Sequence, residues 1–251
     1  MKYYQIVFSP TGGTQRVSEA ITQSWAEVNT VDLSNPVPAA TDISFDSNSL
    51  VLIAMPSFGG VAPQLALDRL ARLKGNGAKC VIVAVYGNRA YEDTLVQMED
   101  EAQNAGFQVI AAISAVAEHS IIHEYATGRP DADDCKKLAE FGKQILEKAA
   151  AGQPSKPSVP GNRPYRKAES GLVPKAGSGC TSCGLCAQKC PAGAIPTSTP
   201  ETTDKSKCIS CMRCVSICPA HARKVNSLIV SMAAAAIKKA CSVKKENELF
   251  L

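Results

Sequence analysis

The chain has 251 residues, 45% of them hydrophobic and 20% charged, a balance that excludes a disordered or collagen-like polypeptide. A net charge of +4 says little alone, but eleven cysteines, an odd number, exclude complete disulfide pairing within one chain. No apolar run approaches the roughly 18 residues of a membrane span, and Met1–Pro10 lacks the apolar core of a signal peptide. The expectation is a cytoplasmic protein whose clustered cysteines bind metal.

Strands are predicted at Tyr3–Phe8, Asn29–Leu33, Leu50–Met55, Lys79–Tyr86 and Phe107–Ser114, and helices at Gly13–Glu27, Ala62–Leu73, Tyr91–Ala105 and Ala132–Ala150. Uninterrupted apolar runs such as VLIAM and CVIVAVY suit strands covered on both faces, hence a mostly parallel sheet. The order describes an α/β domain over residues 1–150 with a doubly wound, five-stranded sheet. Ser34–Ser49 shows no clear period and reads as a loop with a weak helix. Residues 151–179 form a linker rich in Pro, Gly, Ser and Lys. Its prolines (Pro154, Pro157, Pro160, Pro164, Pro174) oppose a long helix. A cysteine module follows over 180–226, then an alanine-rich helix at Ser227–Ala240 and a tail to residue 251.

Nine of the eleven cysteines fall after residue 150, eight of them in two copies of one pattern. These are Cys180-x2-Cys183-x2-Cys186-x3-Cys190-Pro191 and Cys208-x2-Cys211-x2-Cys214-x3-Cys218-Pro219. This is the bacterial ferredoxin run, in which three cysteines hold one 4Fe–4S cluster and the fourth holds the other. By that rule Cys180, Cys183, Cys186 and Cys218 hold one cluster, and Cys208, Cys211, Cys214 and Cys190 hold the second. Paired zinc sites are the alternative, but zinc rarely needs four thiolates within eleven residues. Gly184 relieves crowding where the loop wraps the cluster. Cys80, Cys135 and Cys241 read as inert; Cys80 lies in a predicted core strand.

The first predicted strand runs into Ser9-Pro10-Thr11-Gly12-Gly13-Thr14 and then a helix. Hydroxyls and amides at a helix N-terminus suit a phosphate. The loop is neither a Walker A nor a dinucleotide motif. The third strand ends in Pro56-Ser57-Phe58-Gly59-Gly60 and the fourth in Tyr86-Gly87-Asn88-Arg89-Ala90-Tyr91. Ligands of doubly wound sheets bind outside the carboxyl ends of the strands. Phe58, Tyr86 and Tyr91 are therefore candidates to flank an isoalloxazine ring.

The loop and strand ends resemble a flavodoxin over residues 1–150, and with Cys180–Pro219 the whole chain resembles the flavodoxin–ferredoxin fusion proteins (EFR-type ferredoxins). The resemblance implies a flavodoxin-like domain followed by a small α+β dicluster ferredoxin-like domain. It implies FMN phosphate at Ser9, Thr11, Gly12, Gly13 and Thr14. The flavin ring then lies at Pro56, Ser57, Phe58, Gly59, Gly60, Tyr86, Gly87, Asn88 and Tyr91, with Glu118 and His119 at its side. The expected cofactors are FMN and two 4Fe–4S clusters.

Charge divides unevenly: residues 1–150 carry 12 Lys+Arg against 18 Asp+Glu (−6), and residues 151–251 carry 15 against 5 (+10). Two clusters at about −2 each offset part of the basic excess. Lys156, Arg163, Arg166, Lys167 and Lys175 either lie on the acidic first domain or form a solvated surface. No nucleic-acid motif accompanies the charge. The expected function is electron transfer among the two clusters, FMN and redox protein partners, with a homodimer possible. The alternative is an FMN-dependent reductase of an organic acceptor fed through the clusters. No nucleophile motif or catalytic carboxylate pair is present.

Overall fold

A computed structural model describes residues 1–36, 45–152, 155–168 and 171–251. Residues 37–44, half of the stretch Ser34–Ser49 expected to hold a loop with a weak helix, and Pro154 lie outside the described residues. The first 150 residues run β1 (Lys2–Val7), α1 (Gly13–Thr22), β2 (Val28–Asp32), β3 (Ser49–Pro56), α2 (Gln64–Leu70), β4 (Lys79–Tyr86), α3 (Thr94–Asn104), β5 (Gln108–Val116) and α4 (Ala132–Ala150). The remainder runs β6 (Lys175–Ala176), α5 (Leu185–Gln188), α6 (Arg213–Ser216), β7 (Arg223–Lys224), α7 (Ser227–Cys241) and β8 (Glu248–Phe250).

Strands β2-β1-β3-β4-β5 lie parallel in that order, the flavodoxin-like doubly wound arrangement. Alternation along β3 shows why the central runs are apolar throughout. Val51, Ile53 and Met55 enter one core with Leu67 and Leu70 of α2 and Leu95 and Met98 of α3. Leu50, Leu52 and Ala54 enter the other, with Val17 and Ile21 of α1 and Leu138 and Ile145 of α4. Successive side chains of a strand point to opposite faces, so a strand covered on both faces has no polar position to offer.

The sheet has six strands, not the expected five. β8, from the C-terminal tail, pairs antiparallel with β5 (Ala112↔Phe250, Ser114↔Glu248). Three residues are too few to show a period, and the pairing is fixed by distant polar anchors. The Asn88 side chain donates to the carbonyls of Cys241 (2.9 Å) and Val243 (3.0 Å) and accepts from the Lys245 N–H (2.9 Å). The Asn247 side chain accepts from the Val116 N–H at 2.9 Å. The helices are shorter than expected at several ends. α1 stops at Thr22 rather than Glu27, and α3 starts at Thr94 rather than Tyr91.

Residues 155–168 do not hang free but lie along α3. The carboxylate of Asp93, just before that helix, accepts from the backbone N–H of Asn162 (2.9 Å) and of Arg166 (2.8 Å). Arg163 pairs with Asp100 (2.6 Å) and Glu99 (3.2 Å), Lys156 with Glu99 (3.4 Å), and Arg166 with Glu92. Part of the basic excess thus sits on the acidic domain. No helix of the described residues is long and apolar enough to cross a membrane.

The cysteine module is built on an internal repeat. Ser182 and Gly184 in the first run match Ser210 and Met212 in the second, all with positive φ (52°, 74°, 54° and 62°). Gly184 adopts this conformation without side-chain strain, whereas Met212 holds the same turn with a Cβ. β6 and β7 pair across the repeat (Ala176↔Arg223).

Candidate functional site

A cavity of about 880 Å³ opens at the carboxyl ends of β1, β3, β4 and β5. Thr11, Gly13 and Thr14 line it from the first loop. Ser9 and Gly12 stand behind that wall: the Ser9 hydroxyl accepts the Gln15 N–H at 2.9 Å, and Gly12 (φ 92°) is the N-cap of α1. With those roles the loop offers the hydroxyls of Thr11 and Thr14, and no cation, where a phosphate would sit at a helix N-terminus.

Pro56, Ser57, Phe58 and Gly59 line the second side. Gly60 does not, and its absent side chain serves something else. A Cβ there would come within 1.7 Å of the Glu92 carboxylate, which bridges Arg89 and Arg166. Tyr86 and Gly87 line the third side. Asn88 and Tyr91 lie outside the wall: Asn88 is buried on the C-terminal tail, and Tyr91 packs edge-on against Tyr86 at 5.2 Å with its hydroxyl toward Glu248.

Glu118 and His119 both reach the cavity. The Glu118 carboxylate already accepts from the Gly128 N–H (2.8 Å) and meets His123 Nδ1 (2.7 Å). That backbone bond, with His123, outweighs burial and holds it below its ordinary pKa. His119 is pushed down to about 4, by burial first and by the charges of His123 and Arg89 after it. Its Nδ1 accepts the N–H groups of Ile121 and Ile122, both at 3.2 Å. The ring is therefore neutral above about pH 4, and its proton sits on Nε2 as a fixed donor. Gly87 lets this ring approach: a Cβ at that position would lie 2.6 Å from it.

The roof of the cavity comes from the second half of the chain, which strand-end reasoning alone does not reach. Arg166, Lys167 and Leu172 line it, as do Cys208, Ile209, Ser210 and Cys211, and Ala233 and Ile237 of α7. Ile209 also packs on the α2–α3 side of the sheet core.

Two smaller hollows gather the eight repeat cysteines. One is lined by Cys180, Cys183, Cys186 and Cys218, the other by Cys190, Cys208, Cys211 and Cys214. The fourth thiol of each set thus comes from the opposite run. Four thiols spaced around a hollow suit a larger inorganic core. Backbone N–H groups already point at sulfur, Ala194 to Cys190 (3.3 Å) and Ala222 to Cys218 (3.4 Å).

Burial raises Cys211 to about 12 and Cys214 to about 11. At Cys218 burial also acts upward, but the amides of Arg223, Ala222 and Ala220 together bring the thiol below its ordinary value. Metal binding at Cys211 and Cys214 must therefore displace protons. Three buried polar atoms of the module, Ser210 Oγ, Arg213 Nε and Arg223 Nε, have no hydrogen-bond partner, as expected of donors facing a bound group.

The hollows differ in their relation to the cavity. Cys208, Ile209 and Cys211 line both the cavity and the second hollow. None of Cys180, Cys183, Cys186 or Cys218 reaches the cavity, and Cys183 is exposed.

Residues 167–223 match the family model of the 4Fe-4S dicluster domain. A comparison with the curated proteins finds no match. Among solved structures the chain is similar to a short-chain flavodoxin associated with a bacterial microcompartment (15% identity, 60% of this chain and 99% of that one, TM-score 0.41). It is also similar to a flavodoxin from the domain Archaea (14% identity, 59% and 99%, TM-score 0.40). A third is the Fusobacterium nucleatum flavodoxin bound to flavin mononucleotide (15% identity, 59% and 98%, TM-score 0.40). In this chain a flavodoxin-like α/β domain is followed by a 4Fe–4S dicluster module.

Proposed function

We propose that the chain is an electron-transfer flavo-iron–sulfur protein that passes electrons between two 4Fe–4S clusters and FMN and on to a redox protein partner. The observation that carries this reading is the shared wall: Cys208 and Cys211 belong at once to the cavity and to a four-thiol hollow. FMN exchanges one or two electrons and each cluster exchanges one; that chemistry is the cofactors' own. The residues supply position. Thr11 and Thr14 with the N-terminal amides of α1 would hold the phosphate, and Phe58 and Tyr86 would border the ring. His119 Nε2–H would donate to its polar edge. Ile209, on the wall of both the cavity and the second hollow, would exclude water between the two groups when they are bound. The exposed Cys183 end is where an external redox protein would reach the farther set.

Anaerobic rapid mixing tests the reading. After a sub-stoichiometric pulse of dithionite, exchange between the flavin and cluster absorption bands is expected at a rate independent of protein concentration over a tenfold range. A rate proportional to concentration would mean that electrons hop between molecules, and the reading would fail.

Gly87→Ala is expected to weaken FMN binding roughly 5- to 150-fold, because overpacking against His119 costs about 1–3 kcal/mol. Flavin fluorescence titration of the purified protein measures it. Unchanged affinity would detach His119 from the flavin.

The enclosed roof and a volume near the top of the usual range of about 300–1,000 Å³ for ligand pockets also favour the reductase reading, with the organic acceptor beside the flavin. Anaerobic turnover of an added quinone or enone, absent from the carrier reading, separates the two.

A further inference from the structure

The two halves of the cysteine module superpose in sequence as Cys190-Pro-Ala-Gly-Ala-Ile195 and Cys218-Pro-Ala-His-Ala-Arg223. Their backbones repeat as well. Gly193 and His221 both have positive φ (59° and 48°), and each donates its N–H to the carbonyl of the preceding cysteine of its run. Ala194 and Ala222 each point an N–H at that cysteine's sulfur. The repeat breaks at the next residue. Ile195 packs as an apolar wall of the Cys190 hollow, whereas the equivalent wall of the Cys218 hollow is a guanidinium.

Arg223 is 2% exposed, among the largest fully enclosed side chains of the protein. Its Nη1 donates to Thr203 Oγ1 (2.8 Å) and the Pro174 carbonyl (3.5 Å), two groups on the wall of the Cys190–Cys208–Cys211–Cys214 hollow. Its Nη2 donates to the carbonyls of Pro200, on the wall of the other hollow, and of Thr202 (3.0 Å). The guanidinium therefore spans the partition between the two hollows. Every partner is neutral, none is a carboxylate, and Nε has no partner at all. A buried cation is held where an opposite charge meets it, and the groups in the hollows are the anions available to this one.

We propose that Arg223 is a counter-ion shared by the two 4Fe–4S clusters, supplied once by the broken repeat, that raises the reduction potentials of both. Each cluster with its four thiolates is anionic when oxidised and gains one further negative charge on taking up an electron. A fixed cation in a low-dielectric partition stabilises the more negative form, so the reduced state is favoured. Arg223 acts through the clusters' surroundings as a positioning and electrostatic residue and ligates no iron. The inference rests on cluster occupancy as proposed above and is independent of the flavin.

The test uses the full, cluster-loaded chain with R223I (the residue that the repeat places at the equivalent position), R223Q and R223K. Dithionite titration followed by EPR of the reduced clusters gives both midpoints. Loss of the cation is expected to shift each cluster's reduction equilibrium at least tenfold toward the oxidised form, about 59 mV for a one-electron couple. R223K is expected to stay within that interval of the parent. A smaller shift in a charge-removing variant that holds both clusters, or an equal fall in R223K, overturns the proposal. Should neither R223I nor R223Q assemble clusters while R223K does, the charge requirement stands. Failure of R223K to assemble as well would make the role one of shape and overturn it. Iron and sulfide counts on the parent chain report separately on the cluster reading, which fails if the parent holds neither cluster.

Discussion

Replacing Cys190 with alanine is expected to remove the cluster of Cys208, Cys211 and Cys214 while leaving intact the cluster bound by Cys190's own run. Iron and acid-labile sulfide should fall to about half of the parent value, and Cys218→Ala should give the same loss at the opposite site. The expectation follows from which thiols face which hollow, Cys190 with the second set and Cys218 with the first. The two variants should differ sharply in flavin exchange. Only the second hollow shares its wall with the cavity, so Cys190→Ala should abolish the fast intramolecular phase and Cys218→Ala should keep it. Loss of the run-local cluster in Cys190→Ala, read from EPR and iron content, would refute the crossed assignment.

The second large effect is expected at Asp134, which lines neither thiol hollow. Its carboxylate meets Arg129 through Nε (2.7 Å) and Nη2, accepts from Asn247 (2.9 Å), and caps α4 by accepting from the Asp131 N–H (3.0 Å). Both members of the ion pair are only 6% exposed. Arg129 also holds the Lys245 carbonyl at 2.7 Å, so the pair anchors the tail that leads into β8. Removing one partner of a buried pair leaves the other charge uncompensated and costs about 3–5 kcal/mol. Asp134→Ala should therefore lower the melting temperature by roughly 10 °C or more. It should also speed amide exchange in β8 above that in β3. The double variant that also replaces Arg129 with methionine should recover part of the loss. A melting temperature within about 2 °C of the parent would sink the argument.

The same group sets a pH dependence. Burial alone would raise the Asp134 carboxyl, but Arg129, the Asp131 amide and Asn247 outweigh it and hold the folded value below the ordinary one. The unfolded chain thus binds this proton more readily than the folded chain. The contribution to stability is fully present above about pH 4, the ordinary carboxylate value, and is lost as pH falls through the folded value. Urea titrations of the parent and Asp134→Ala proteins should accordingly converge on acidification.

Much of the scaffold was legible because its signals are local. The apolar runs of β3 and β4 announced a sheet covered on both faces, and the spacing of the eight cysteines identified them as a set. The glycines were read less completely. Gly87 serves the cavity wall by admitting His119, but Gly60 makes room for Glu92 and its arginines. A sequence marks where a Cβ is missing without saying which neighbour needs the space. Asn88 illustrates the same limit: it stands in the strand-end loop as expected, yet both polar atoms of its side chain are taken by residues more than 150 positions away.

The sequence by itself determined the periodic elements, the repeated thiol pattern and the two-part organisation, since each depends on residues within a few positions of one another. The tertiary structure alone decided three things. It laid residues 155–168 on α3 through Asp93, Glu99 and Asp100, returned the tail to the sheet as a sixth strand, and brought Cys208 and Cys211 onto the wall of a cavity built by β1, β3, β4 and β5. Ion pairs and hydrogen bonds between distant residues leave no periodic trace in a chain, because either partner alone reads as an ordinary surface residue. That is why a net charge of +4, the least informative figure at the outset, resolves into paired cations on an acidic domain and one buried arginine between two sets of thiols.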